Sequence, residues 1–423
     1  MAQRDQFLAT YQSGNLPIAE NNLTTSIEKE LPQSDYRRSK DAVWLLLDRA
    51  TTRFAKGDTQ YAIDDYRLAI EAMDYYNQDF PAESLGKVIL QDNYGAYQGA
   101  PFEQVLARLY FALALLHQGD VNNAFAILRQ GEELQQIIRD QYTNTPFMRH
   151  YELLDNAVSK YLFAALLEKR CDQSNANILY KQSEDLLGTQ YIPSESSSDK
   201  TATVLVICHN GNVARKVSDI SDASVASAAA LEILLASQDI QPAFSTLAGI
   251  PVPALYQSPA SLPTPMTVCI HNIQKQLSPW YNVSNVSYEN LQQELPVIVA
   301  RGVARLLLRR GAVAYAQDQD PCLGAIVDIG FLIANANTEA DTRAWSTLPS
   351  SIDVARYDLP AGQHALSIQA GQKGCSFFQE QHKLELRPHD LCIINVFHIH
   401  PGVTTVLVPS RFVYPNPNNK EIL

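Results

Sequence analysis

Recognisable catalytic signatures are missing from this sequence. Its six cysteines (Cys171, Cys208, Cys269, Cys322, Cys375 and Cys392) are scattered and form no C-x-x-C pair, which excludes a zinc ribbon and a thioredoxin-type redox centre. They read as small buried apolar residues, although an even number also permits disulfides in an oxidising compartment. No G-x-S-x-G, phosphate-binding loop or dinucleotide fingerprint occurs, so no cofactor is expected. No apolar run of about 18–20 residues is available to cross a bilayer as a helix. The opening Met-Ala-Gln-Arg-Asp does not begin a secretory signal, and by itself this predicts a soluble cytoplasmic protein. Positive charge is also in deficit: 33 basic side chains against 45 acidic ones give a net charge of −12. That excludes a nucleic-acid binder relying on overall attraction to phosphate.

What the sequence does have is length, apolar content and internal repetition. With 423 residues, 46% apolar and 18% charged, the chain can build two domains, each with its own core. Its first half repeats a helix, a Gly-Asp or Gly-Asn turn, and a second helix with small and large residues on one face. The clearest copy, in 43–76, carries Ala50, Gly57, Asp58, Ala62, Tyr66 and Ala69. A second carries Ala112, Gly119, Asp120, Ala124, Leu128 and Gly131. Weaker copies hold Gly14, Asn15, Ala19 and Leu23, and Ala164, Asp172, Ala176 and Tyr180, with Cys171 where the turn glycine would stand. Small contact residues let two helices approach closely while glycine reverses the chain. The pattern predicts an irregular tetratricopeptide-like array over 1–190, or else a generic helical bundle with alanine-rich faces. Its concave face is expected to hold a protein partner. In the insertion at 77–102, Tyr94, Tyr97 and Phe102 are candidate partner anchors, or else pack the insertion onto its own repeat.

The Pro/Ser-rich stretch around 191–201 reads as a linker. Beyond it, 202–415 is expected to be a β-rich α+β domain, sandwich-like, with helices near 222–238, 288–317 and 322–337, the last two forming an inserted hairpin. Residues 242–265 are too proline-rich for a central strand and predict a loop or an edge. Arg301, Arg305 and Arg309 fall at i, i+4 and i+8 on one stripe of a helix, suiting either an anionic surface or a solvated face. His398 and His400 alternate in a strand, as two metal ligands or as a polar strand face. A third ligand would have to come from His364, His382 or His389. Asp341, Arg343 and Arg356 surround Trp345. The planar guanidinium forks suit a desolvated polar knot that ties the hairpin's end to the following strand.

The segment "ADTRAWSTLPSSIDVARYDLPAGQHAL" (340–366), preceded by "ELPVIVARGVARLLLRRGAVAYA", resembles the C-terminal part of an uncharacterised family of bacterial lipoproteins with tetratricopeptide-like N-terminal repeats. "YGAYQGAPFEQVLARLYFALALLHQGDVNNAFAILRQ" (94–130) is similar to that family's second repeat. The chain departs from it at Ile127, Arg129 and Gln130, where the family often carries an acid and an arginine pair. The resemblance implies an exported, lipid-anchored protein that works beside envelope lipoproteins, with Met1 standing in for a removed signal and anchor cysteine. The combined expectation is a non-enzymatic envelope scaffold that binds protein partners and reaches a membrane only through its anchor. The rivals are a metal-dependent hydrolase built on His398 and His400, and a ligand- or lipid-surface-binding module built on the arginine stripe.

Overall fold

The computed structural model describes residues 2–31, 39–76, 95–143, 155–188, 201–219, 251–320, 322–323, 325–328, 339–372, 375–400 and 403–409. Eight helices fill the first part among the described residues: α1 (Ala2–Gln12), α2 (Leu16–Glu30), α3 (Ala42–Lys56), α4 (Thr59–Tyr76), α5 (Pro101–Gln118), α6 (Val121–Thr143), α7 (Ala157–Lys169) and α8 (Gln173–Leu187). They pack in consecutive pairs.

Each pair turns in the same way, and the Gly-Asp signature explains how. Gly57 and Gly119 adopt left-handed φ values of 93° and 84°. Gly57 donates its N–H to Phe54 and Asp58 donates to Arg53, while Gly119 and Asp120 repeat the pattern on Leu116 and Leu115. The final carbonyls of the first helix are thereby satisfied. The next residue then caps the second helix: Asp120 Oδ1 accepts from the Asn123 N–H at 3.2 Å and Asp172 Oδ1 from the Asn175 N–H at 3.3 Å, the usual role of a short polar side chain at that position. Cys171 takes the glycine's place with φ 62°, a conformation in which its Cβ is crowded. The small residues read from the sequence (Ala19, Ala50, Ala62, Ala69, Ala112, Ala124, Ala164 and Ala176) are all buried at helix contacts.

The remainder is β-rich. A five-stranded mixed sheet has the order β11 (Val403–Leu407), β10 (Leu391–His400), β1 (Thr201–Asn210), β7 (Ser351–Pro360) and β6 (Ser278–Tyr281), with β1 and β10 parallel. A four-stranded antiparallel sheet has the order β5 (Ile273–Gln276), β4 (Met266–Ile270), β8 (Gly362–Gln372) and β9 (Cys375–Leu386). A small pair, β2 (Arg215–Asp219) and β3 (Val252–Tyr256), lies apart from both. β3 carries Pro253 in a two-stranded edge pair, consistent with the proline-rich reading of 242–265. One long helix, α9 (Val283–Gln319), stands between β6 and β7 in the chain.

The five-stranded sheet is buried on both faces. Val204, Val206 and Cys208 of β1, with Tyr357, Leu359, Ile394 and Val396, pack against Val268, Leu366 and Ile368 of the other sheet. Leu205 and Ile207, with Ile352, Val354, Ile393 and Phe397, join the apolar cluster of the helices. This is why β1 reads as an uninterrupted apolar run and not as an alternation. The helices and one face of the sheet thus share one apolar cluster, while the other face builds a second cluster with the four-stranded sheet. Phe54 of α3 meets Phe397 edge-on, with centroids 5.2 Å apart, and a side chain at Gly14 would collide with Val403 of β11. The helices end at Leu187 and β1 starts at Thr201, so the expected linker and the helix near 222–238 fall outside the described residues, as do 410–415 and most of 322–337.

A shared core makes the two parts unfold together. Phe397→Ala is expected to destabilise the chain by about 3–5 kcal/mol. The loss of helical circular dichroism and of tryptophan fluorescence in denaturant should remain one coincident transition. Two separated transitions would show that the helices and the sheet are independent.

Candidate functional site

Residues 339–350, between α9 and β7 in the chain, run without regular secondary structure along helices α1, α3 and α5. Such a strap has no ladder to satisfy its backbone, so buried N–H and C=O groups must find side chains. Helices α1, α3 and α5 supply them. Arg4 donates to the Thr342 carbonyl and, at 2.9 Å, to Ser346 Oγ. Tyr11 Oη donates to the Thr347 carbonyl at 3.3 Å. Asp48 Oδ1 accepts from Thr347 twice, from N–H at 2.9 Å and from Oγ1 at 3.0 Å. Glu103 Oε1 accepts the Trp345 N–H at 3.0 Å, while its Oε2 accepts from the Ala100 N–H at 2.9 Å and from the Tyr97 hydroxyl. One carboxylate therefore starts α5 and holds the strap.

Trp345 is the anchor. Its indole is fully buried, lies edge-on to Tyr110 at 5.2 Å and tilted to Tyr66 at 6.2 Å, and donates Nε1–H at 3.0 Å to both Thr51 Oγ1 and Thr347 Oγ1. Beneath it, Tyr110 joins α5 to the sheet through His209 Nδ1 at 2.7 Å, and His209 Nε2 meets Asn395 Oδ1 at 3.2 Å. Burial pushes His209 down to about 4, with the Asn395 bond opposing. The imidazole is therefore neutral at physiological pH, its Nδ1 accepting a hydrogen bond from the Tyr110 hydroxyl and its Nε2–H donating to Asn395.

Arg343 fixes the strap's other end. It forks onto Asp341 at 2.9 and 2.7 Å and donates to the Gly95 and Lys40 carbonyls at 2.9 and 3.2 Å. Burial alone would raise Asp341, but the guanidinium outweighs it and holds the carboxyl below its usual value. Two corrections follow for the expected knot. Arg356 is not part of it: it sits on β7 beside Asp358 at 3.0 Å and reaches the hydroxyls of Tyr161 and Tyr180 at 3.3 and 3.4 Å. And Asp341, Arg343 and Trp345 tie the strap to the helical array, not a hairpin to its next strand. Side chains of α1, α3 and α5 are thus engaged by a segment of the chain itself.

The remaining candidates are dispersed. Tyr97 and Phe102 are buried, so neither is an exposed anchor; Tyr94 lies outside the described residues. Arg305 is buried and Arg301 and Arg309 are half-buried, which corrects the solvated-face reading. Burial and the neighbouring Arg305 hold Arg309 below its usual value. His398 is buried with Nδ1 on Thr404 Oγ1 at 2.7 Å, and burial followed by the nearby His400 lowers it to about 4. The proposed third ligands are engaged elsewhere: His364 Nδ1 meets His271 at 3.1 Å, and His382 meets Glu380 at 3.0 Å. His389 occupies a positive-φ turn. Among the described residues no group of three or more potential ligands is arranged for a metal. Beside the strap, a cleft of about 320 Å3 opens between 96–101, β2, β3 and α9, with Lys216, Glu294, Arg301 and Asp341 on its wall.

The residues that matter most here, Arg4, Tyr11, Asp48, Thr51 and Glu103, were not singled out from the sequence. The signal was present in "VWLLLDRATT", where an Asp and a Thr interrupt a helix face otherwise destined for the core.

Burial raises Asp48 to about 7, with the Arg4 charge and the Thr347 bonds opposing. An unfolded Asp holds its proton only below about pH 4, so between pH 4 and 7 the native state binds the extra proton and stability falls as pH rises. Across that window the effect is on the order of 4 kcal/mol. Asp48→Asn keeps the oxygen that Thr347 needs, and is expected to flatten the fall in melting temperature between pH 4 and 7; an unchanged slope would refute this role. Trp345→Phe removes the N–H that two buried threonine oxygens accept and is expected to cost about 1–3 kcal/mol in a denaturant titration, where no change would show that the indole bonds carry nothing.

No protein-family model matches the chain, and neither a curated protein nor a solved structure matches it, so its function is read from this geometry.

Proposed function

We propose that this chain is a non-enzymatic assembly scaffold of the bacterial cell envelope. Its tetratricopeptide-like array uses the concave face in cis, clamping the strap and the sheet into one rigid body, and meets protein partners with the surfaces that remain outside. The observation that carries this reading is the strap itself: Trp345 is buried between three helices while Arg4, Tyr11, Asp48 and Glu103 bind strap backbone. This is how a peptide-binding groove holds an extended ligand, through main-chain bonds for affinity and a pocket for one large side chain. The groups with chemistry to offer serve architecture: Glu103 and Asp48 hold the strap, and His209 joins α5 to two strands. The envelope setting follows from the lipoprotein resemblance, and the net charge of −12 argues against a nucleic-acid partner.

Displacing the strap would expose an indole and leave buried carboxylates unpaired, so a partner that needed the groove would face a large barrier. The tagged full chain, expressed in its host, is expected to retain an envelope protein in near-stoichiometric amount. Excess synthetic peptide spanning 339–350 should leave that capture unchanged. Release of the partner by the peptide would place it in the groove and overturn the reading, as would stoichiometric zinc that disappears in His398→Ala.

A further inference from the structure

The helix α9 turns its buried side, with Ile298, Leu306, Val313 and Ala316, to the rest of the chain. Its opposite side is apolar too. Val297, Ala300, Leu307, Leu308, Gly311 and Tyr315 recur at steps that keep them on one face, and all six are exposed. The large ones are far from marginal: Val297 is 54% exposed, Leu308 55% and Tyr315 71%. Exposed Leu323 and Ile326 follow in the chain. A face of this kind calls for a cover, because soluble helices normally turn charges outward.

We propose that this face of α9 lies on the surface of a bilayer containing anionic lipid. Three observations choose that occupant. From 295 to 317 every charged residue is an arginine (Arg301, Arg305, Arg309 and Arg310), within a chain that is otherwise acidic. Arg305 is buried and Arg301 and Arg309 are half-buried at the margin of this face, all three engaging other groups of the chain, so they contribute positive charge beside the face and do not act as lone hooks. Glu294 and Asp318 flank this stretch, so its four arginines still leave a local excess of positive charge, which phosphate headgroups complement. Size is the second observation: a single helix face from Val297 to Tyr315 is roughly 27 Å long. One such face offers well under the area of about 800 Å2 per partner that a stable protein interface needs. Third, no described helix is long and apolar enough to cross a membrane, so a membrane contact here is peripheral, with Tyr315 suited to the headgroup level.

The test uses the full chain in flotation with vesicles of phosphatidylcholine alone and with a third of the lipid replaced by phosphatidylglycerol. The expected result is flotation with the anionic vesicles, weakened by salt. Leu308→Glu should reduce the partition coefficient by about tenfold or more with an unchanged circular dichroism spectrum. Should that variant fail to fold, Tyr315→Trp provides a second reading: lipids with brominated acyl chains should quench the added indole. Absence of flotation, equal flotation of a folded Leu308→Glu, or an indole that escapes quenching overturns the proposal. So does a solution dimer, seen by light scattering, that Leu308→Glu abolishes.

Discussion

An irregular peptide buried in a protein interior is unfavourable unless its main-chain polar groups are matched one by one. The arrangement of this molecule depends on how residues 339–350 meet that demand. Asp48 and Glu103 accept the strap's N–H groups, Arg4 and Tyr11 donate to its carbonyls, and Arg343 donates outward to the carbonyls of Lys40 and Gly95. Helices and strap therefore specify each other. With these side chains in place the helices fit the strap; without the strap, Asp48 and Glu103 would be two carboxylates facing an apolar cavity.

The same logic extends into the sheet. Tyr110 touches Trp345 on one side and His209 on the other, and His209 in turn stacks on Phe397 at 4.3 Å and bonds Asn395. A line of aromatic and amide groups thus runs from the strap through α5 into β1 and β10. Arg356 provides a second tie, between β7 and the hydroxyls of α7 and α8. Because β1 is covered on both faces, a change on its helix side is felt by the strand's whole environment.

How much of this was legible in the sequence depends on whether the information was local. The helix pairs were readable, since Gly57-Asp58 and Gly119-Asp120 encode a turn and a cap in two adjacent residues. The β-rich character of the second half was readable, and so was a helix near 288–317, inside α9. The strap was noticed for its composition but assigned the wrong neighbour. Arg343 and Arg356 are thirteen positions apart in the chain, yet one reaches the segments that precede α3 and α5 and the other reaches α7 and α8, and nothing in their spacing says so. Asp48 and Glu103 were passed over because their partners lie more than 240 residues away. The short strands β2, β5 and β6 escaped notice because each takes its place from a neighbour and carries little pattern of its own.

Parallel pairing of β1 with β10 and the late position of the strap have a consequence for synthesis. The last described helix of the array closes at Leu187, and the strap begins only at Glu339. At ribosomal speed the interval lasts roughly 10–30 s. Throughout it the emerging array carries an open apolar slot with two unpaired carboxylates. Val396 and Phe397, which complete the central strand's surroundings, arrive later still. The nascent chain is thus at its most vulnerable when it is nearly half made, and a chaperone that shields the array until its own tryptophan arrives would govern the yield of folded protein.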